Sequence, residues 1–343
     1  MIPVIEDLRV QRLDIYLTFQ CNLRCKHCFV GSDLGKPIFF SVNSVKNIFN
    51  MARSWHTTDV AFLGGEPTVY PHLVDVCEYA FESGMKDVRI ITNGTRPFLH
   101  FLNKYTFSKK PLISFSIDGA SPEVHDRVRG NGAFNQMILS INHARKLGYR
   151  TCGITSIGNH NKSNLHSILD LAQRLTLEYL TIHYVSERGN ATEDMVIPPE
   201  EWLKIMDEVV DFSSNIDLEI RFEQTFFPKS TASEALPKAR RICAVRSLDN
   251  LMFYPDGRVF VCGLFLGQTG MHSFIWDGNN LTRNIGVTER TVCEEVIPEH
   301  CHGLKRLAPN LFDHKSETSY SSLCIYDKAV ISRGTVLSEH KNT

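Results

Sequence analysis

Long apolar runs are missing from this 343-residue sequence, and so is any imbalance of charge. The most apolar stretch, Val259-Phe260-Val261-Cys262-Gly263-Leu264-Phe265-Leu266, falls far short of the about 20 residues that a membrane-spanning helix needs. The N-terminus, Met1-Ile2-Pro3-Val4-Ile5-Glu6-Asp7, has neither a basic region nor a following apolar segment, so it does not read as a secretory signal. A formal net charge of −1 gives no electrostatic footprint for nucleic acid or a membrane surface. Internal repeats and low-complexity tracts are also absent. The expectation is a cytoplasmic protein without nucleic-acid or membrane partners.

What is present is an ordinary globular composition, 43% hydrophobic and 22% charged, long enough for a large core. Ten cysteines in a chain without a signal peptide favour metal ligation or reduced core thiols over disulfides. Their distribution is uneven. Cys21, Cys25 and Cys28 crowd the start, while Cys243, Cys262, Cys293, Cys301 and Cys324 gather near the end. Cys77 and Cys152 stand apart, one on an apolar helix face and one inside a strand, and read as core.

Strand candidates are 14–19, 59–63, 88–92, 112–117, 150–157 and 179–185, apolar or β-branched runs with Gly, Asn or Asp at their exits. They fit parallel strands covered on both faces. Helical spacing fills the intervals. Ser41 is placed to cap a helix carrying Val45, Ile48, Phe49 and Ala52, and Pro71 opens one with Leu73, Val76, Cys77 and Ala80. Phe134, Ile138 and Ile141 mark a third, and Ser163 precedes Leu165, Ile168, Leu169, Ala172 and Leu175. Roughly six such units in about 200 residues read as an α/β fold, either a β/α barrel or a doubly wound sheet. A helix over 199–212 follows, then a linker-like stretch around Pro228–Pro237. Tyr254-Pro255-Asp256-Gly257-Arg258-Val259 reads as a hairpin turn, and the last dozen residues as a loose tail.

Cys21-Asn22-Leu23-Arg24-Cys25-Lys26-His27-Cys28 is a C-x₃-C-x₂-C set on the loop leaving the first strand, where active sites of such sheets lie. Three thiolates in so short a loop grip three corners of a four-iron cubane. With no fourth cysteine nearby, one iron stays open to another ligand. Zinc is the alternative, although zinc loops usually come as paired knuckles that close four ligands.

This segment resembles the signature loop of radical S-adenosylmethionine (SAM) enzymes. The resemblance covers about residues 10–190 and implies a partial (βα)₆ TIM-like barrel, a [4Fe-4S] cluster and SAM. It also implies reductive cleavage of SAM to a 5′-deoxyadenosyl radical. His27 stands at a position that is often aromatic in relatives and lines the adenine site. Gly64-Gly65-Glu66-Pro67, at the exit of the second strand, is similar to the turn that holds the SAM amino group. Glycines let a backbone approach a ligand closely, and Glu66 offers an acceptor for an ammonium. Ser114-Phe115-Ser116-Ile117-Asp118-Gly119 with His125-Asp126-Arg127-Val128-Arg129-Gly130 resembles the fourth-strand segment, where Ser116 and Arg129 would contact the SAM carboxylate or ribose. Ile91-Thr92-Asn93-Gly94 resembles the third-strand exit. For these last two segments a structural role as turn or cap is an equal reading.

Cys243, Gly257 and Cys262 form C-x₁₃-G-x₄-C, which resembles the opening of the SPASM/twitch extension that carries auxiliary clusters in peptide maturases. The sequence then departs from that pattern. Two auxiliary cubanes need eight thiolates and five are present, so one auxiliary [4Fe-4S] cluster is expected. The resemblance assigns it to Cys243, Cys262, Cys301 and Cys324, with Cys293 as spare or substitute; a zinc ribbon is the alternative. The division expected is a barrel core over 1–225, a small Cys-rich SPASM/twitch-like domain over 226–330 and a tail over 331–343.

The implied activity is oxidative modification of a ribosomally made precursor peptide, with side-chain crosslinking of the cyclophane kind ranked first. An external donor such as flavodoxin or ferredoxin is implied. A first strand near residue 14 leaves no room ahead of it for the leader-binding domain of many maturases, so a separate leader-binding protein or the barrel surface would recognise the leader. Two other readings stand beside it: a dehydrogenase or epimerase of a small natural-product intermediate, and a non-catalytic zinc scaffold. Asp118, Glu187 and Glu223 are unranked candidates for a general acid or base.

Overall fold

The computed structural model describes residues 8–223, 225–228, 250–263, 272–284, 320–323, 328–332 and 335–339. Its strands are β1 (Arg12–Tyr16), β2 (Asp59–Leu63), β3 (Asp87–Thr92), β4 (Leu112–Ser116), β5 (Thr151–Ile157), β6 (Tyr179–Tyr184) and β7 (Glu219–Glu223), each parallel to the next. Between them run α1 (Val42–Ala52), α2 (Leu73–Glu82), α3 (Arg96–Lys104), α4 (Pro122–Arg129), α5 (Ala133–Lys146), α6 (Leu165–Arg174) and α7 (Pro199–Ser213). The six expected strands are all present, within two or three residues of their expected ends. A seventh strand, β7, extends the series.

Period two sorts the side chains of each strand. Leu13 and Ile15 on β1, Val88 and Ile90 on β3, and Leu180 and Ile182 on β6 join one core with Val45, Ile48, Phe49 and Ala52 of α1. Alternate residues, Arg12, Asp14 and Tyr16, Arg89 and Ile91, and Thr181 and His183, line a cavity instead. The strands are thus mainly apolar toward the helices, while toward the cavity charged and polar side chains stand among apolar ones such as Leu63, Ile91 and Ile154.

Ser41 caps α1, its Oγ accepting from Ser44 N at 3.1 Å. Ser163 does not cap α6: it sits within a short 3₁₀ turn, Lys162–Asn164, that leads into the helix. Pro71 lies two residues ahead of α2, whose N-cap is His72. Cys77 and Cys152 are fully buried.

The later strands are β8 (Thr225–Pro228), β9 (Asn250–Phe253), β10 (Arg258–Phe260), β11 (Phe274–Trp276), β12 (Leu281–Arg283), β13 (Tyr320–Leu323), β14 (Lys328–Ser332) and β15 (Thr335–Glu339). β8 pairs with β13 in a separate ribbon. All other strands share one sheet, ordered β12-β11-β10-β9-β1-β2-β3-β4-β5-β6-β7-β14-β15. The barrel does not close, because β1 pairs outward with β9 and β7 with β14. The Tyr254 turn is a hairpin as read, with Gly257 N donating to Tyr254 O at 3.0 Å.

The expected loose tail over 331–343 is corrected: β15 pairs antiparallel with β14, which pairs with β7. Val330-Ile331 and Val336-Leu337 supply β-branched and apolar residues on both arms, with Ser332 opposite Thr335. Of the expected linker 228–237, only Pro228 lies among the described residues.

Candidate active site

Residues 17–41, between β1 and α1, carry the cysteine trio, and four neighbouring elements hold this loop. Gly65 N donates to Thr18 O at 2.8 Å and Glu66 N to Gln20 O at 2.9 Å, joining it to the β2 exit. Asn22 Nδ2 donates to Thr95 Oγ1 at 2.8 Å beyond β3. Lys26 N donates to Val128 O at 2.9 Å in α4, and Asn190 N, beyond β6, to Cys28 O at 2.9 Å.

The glycines of the Gly64-Gly65-Glu66-Pro67 turn have a reason apart from any ligand. Gly64 has φ +149°, and a Cβ there would stand 2.4 Å from Thr18 O. At Gly65 it would stand 2.2 Å from Gln20 O. Only bare backbone lets the turn lie on the cysteine loop.

Glu66 is almost fully buried at 1% exposure, and its carboxylate is largely engaged. Oε1 accepts from Thr68 Oγ1 at 2.6 Å, Thr92 Oγ1 at 2.8 Å and Thr68 N at 3.2 Å, while Oε2 accepts from Asn93 N at 2.9 Å. Glu66 thus ties the β2 exit to the β3 exit, with one lone pair of Oε2 left for an outside donor. Burial pushes its carboxyl up, with the hydrogen bonds from Thr68, Asn93 and Thr92 opposing.

Across the loop, Asp118 is wholly buried. Its Oδ2 accepts from Arg129 Nε at 2.5 Å and lies 3.0 Å from His27 Nε2, and its Oδ1 accepts from Ser156 N at 2.9 Å. Burial works against the ionised form, but Arg129 and His27 prevail and hold the carboxyl well below the usual range. The ring of His27 stacks on His160, centroids 5.6 Å apart at 17°. His125 accepts from Asp118 N through Nδ1 at 3.2 Å, and burial, reinforced by Arg129, pushes it down to about 4. Asp118 is therefore an anchor for His27 and Arg129, wholly buried and not among the residues that line the cavity. Glu187 is exposed, and the side chain of Glu223 lies outside the described residues.

One cavity of about 300 Å³ brings together Cys21, Cys25, Cys28, His27, Gly64, Gly65, Ser116 and Arg129. Glu66 sits behind its wall. Thr92, Asn93 and Ser156 also line it, as do Met252 and Gly263 from the C-terminal part. Thr92 and Asn93 were marked in the sequence only as a strand exit. Thr68, which completes the Glu66 cradle, gave no signal at all. Cys262 is buried at 8% exposure, one residue from Gly263. Cys243, Cys293, Cys301 and Cys324 lie outside the described residues.

The thiols suit an iron cluster. Cys21 Sγ accepts from Leu23 N at 3.3 Å and from Asn93 Nδ2 at 3.9 Å, the outer contacts that tune thiolate ligands. Burial, then the Glu66 carboxylate, pushes the Cys21 thiol up to about 12, and burial also raises Cys25 against the pull of Arg129. Bound iron supplies the positive charge that such thiolates lack. Among the described residues no three His, Cys, Asp or Glu side chains converge on a single-ion site. Thiolates on one zinc, bonded at about 2.3 Å, would crowd together, whereas cluster corners stand farther apart. No helix among the described residues is long and apolar enough to cross a membrane.

A side-open β/α barrel whose first loop offers three spaced thiolates is the architecture of a cluster-bearing enzyme domain. Residues 15–172 match the Radical SAM superfamily model, whose members use a [4Fe-4S] cluster and SAM. An AdoMet-dependent heme synthase of Methanosarcina barkeri is 27% identical over 192 residues, 55% of this chain and 55% of that protein. The mycofactocin maturase MftC of Mycobacterium tuberculosis is 30% identical over 159 residues, 46% of this chain and 40% of that one. The chain thus spans about half the length of the curated relatives it matches. Among solved structures, anSMEcpe with bound AdoMet has the same fold, with TM-score 0.62 at 14% identity over 92% of this chain and 93% of that one. Streptococcus suis SuiB bound to its precursor peptide SuiA also gives 0.62, at 17% identity over 76% and 61%.

Proposed function

We propose that the chain oxidatively modifies a ribosomally made precursor peptide, crosslinking its side chains. The observation that carries this reading is the position of Cys262, buried beside the cavity that Cys21, Cys25 and Cys28 line. Residues 226–330 would supply an auxiliary [4Fe-4S] cluster through Cys243, Cys262, Cys301 and Cys324, as a sink for the electron that net oxidation releases. A maturase among the relatives, and a precursor peptide in the SuiB structure, support the substrate class.

Held at the trio, the cluster with SAM would supply radical hydrogen-abstraction chemistry to the cavity. Cys21, Cys25 and Cys28 would each hold one iron. Glu66, behind the wall, fixes the Gly64-Gly65 turn that would receive the SAM ammonium. Arg129 spends Nε on Asp118, leaving its two terminal nitrogens for a SAM carboxylate or ribose alongside Ser116. Asp118 fixes the ring of His27, which would line the adenine site. Val30, Leu34, Leu63, Ile91, Ile154 and Met252 give the cavity an apolar lining that limits water around reactive species. A flavodoxin or ferredoxin would deliver the electron, and a separate protein or the barrel surface would recognise the leader.

Incubation of the reconstituted full chain with SAM, reductant and the precursor peptide encoded beside its gene is the test. A loss of two hydrogens per crosslink in the peptide mass supports the reading. Unchanged peptide with only abortive 5′-deoxyadenosine rejects it. C21A, C25A and C28A should each abolish deoxyadenosine. C262A should lower iron from about eight to about four per chain, since each cubane holds four. The heme synthase relative favours a second reading, oxidation of a small-molecule intermediate. A gene neighbourhood without a short peptide reading frame would favour that one.

A further inference from the structure

The lumen beneath the cysteine loop holds a cation with little to neutralise it. Arg89, in the middle of β3, points into the cavity, and its side chain is only 10% exposed. Among the described residues its guanidinium makes no hydrogen bond. Its one ion pair is at 3.5 Å, to Asp87, a carboxylate 34% exposed on the same strand. The ring of Tyr179, 5.8 Å from the guanidinium, covers one side. The acid nearest in register, Asp14 on β1, is already engaged by Arg12 Nε at 2.9 Å and Asn250 Nδ2 at 2.9 Å. Arg12 lines the same cavity. A guanidinium carries five N–H donors in a planar fork, and burying it so thinly paired is unfavourable unless an anion completes the site. That fork matches a carboxylate in two-point contact.

The position also separates this anion from SAM. The residues around the cysteine loop lie at strand exits, whereas Arg89 is three residues before the end of β3, about 10 Å deeper at about 3.3 Å per residue. We propose that Arg89, with Arg12 beside it, docks a carboxylate of the substrate at the floor of the lumen, so that an acidic group enters first and the reacting carbon lies above it toward the cysteine loop. Resting on the peptide reading, this names the feature the site selects: a free C-terminus or an acidic side chain.

The test uses the full chain, reconstituted with iron, sulfide and SAM, and three probes bearing a neutral fluorophore. These are tetra-alanine free acid, tetra-alanine amide, and the amide with one alanine replaced by glutamate. Fluorescence anisotropy should show at least one acidic probe binding about tenfold or more tightly than the plain amide, charge-assisted bonds being the strong ones. Preference for the free acid identifies a C-terminus, and preference for the glutamate probe a side chain. Arg89→Gln should erase the preference, Arg89→Lys should restore only part of it, and Arg145→Gln, on the exposed face of α5, should leave it intact. Equal affinities in the unaltered chain, or a preference that survives Arg89→Gln, overturns the proposal. The comparison of probes on the unaltered chain needs no variant to fold. Acid preference without mass loss in the precursor would sink the peptide reading alone, and mass loss without acid preference would sink this inference alone.

Discussion

Glu66 and Asp118 occupy matching stations on opposite sides of the cysteine loop, yet their carboxylates are housed in opposite ways. Glu66, just past β2, is surrounded by neutral donors, two threonine hydroxyls and two backbone N–H groups, and its carboxyl is pushed up. Asp118, just past β4, faces Arg129 and His27 and is held down. Burial raises both. What differs is whether the compensation comes from dipoles or from full charges, and only charges reverse the sign. One wall of the site is a hydrogen-bonded clamp joining strand exits, and the other is an ion-paired anchor for side chains facing the cavity.

The largest effect should follow from breaking the charged wall. Asp118→Ala leaves the Arg129 guanidinium buried without its partner and should cost about 3–5 kcal/mol, read from denaturant midpoints. On the neutral wall, Glu66→Gln turns a donor toward Asn93 N–H and should cost about 1–3 kcal/mol by the same measurement.

Acidity separates the walls more finely, by up to about 1.4 kcal/mol per pH unit for each proton. Because the carboxyl of Asp118 is depressed, its contribution is complete above the unfolded value of about 3.9 and is lost as pH falls through the native one. Glu66 is raised, so its contribution is complete below about 4.3 and is lost as pH rises toward its native value. Stability measured across acidic pH should therefore lose its low-pH decline in Asp118→Asn and its opposing decline in Glu66→Gln. Smallest of all should be Arg258→Gln, which removes the 2.5 Å pair between Arg258 and Asp33 at the far end of the loop. Arg258 is partly exposed, so about 1 kcal/mol or less is expected.

Much of this was legible in sequence because it is local. The cysteine spacing, the Gly64-Gly65 turn and the apolar strand runs each lie within a dozen residues, and each appears where expected. The walls were not legible. Asp118 meets His27 and Ser156 from distant parts of the chain, and as a lone aspartate it was indistinguishable from a solvated acid. β7 escaped because its lumen face carries Glu219 and Arg221, paired with each other, which breaks the apolar run expected of a parallel strand. α3 is short and has Pro97 in its first turn, so Phe98, Phe101 and Leu102 repeat only once. The polar lumen explains Arg89 too: on an inner face the pattern that signals a core strand is interrupted where a ligand would sit.

The pairing of β1 with β9 carries a consequence for how the molecule is made. Asp14 and its partner Asn250 are 236 residues apart, so this edge of β1 stays uncovered until β9 has been made. Over that interval the hydrogen-bonding groups of this edge stand open to other nascent chains. Expression at lower temperature, or with more chaperone, should raise soluble yield more than any stabilising change within the barrel helices.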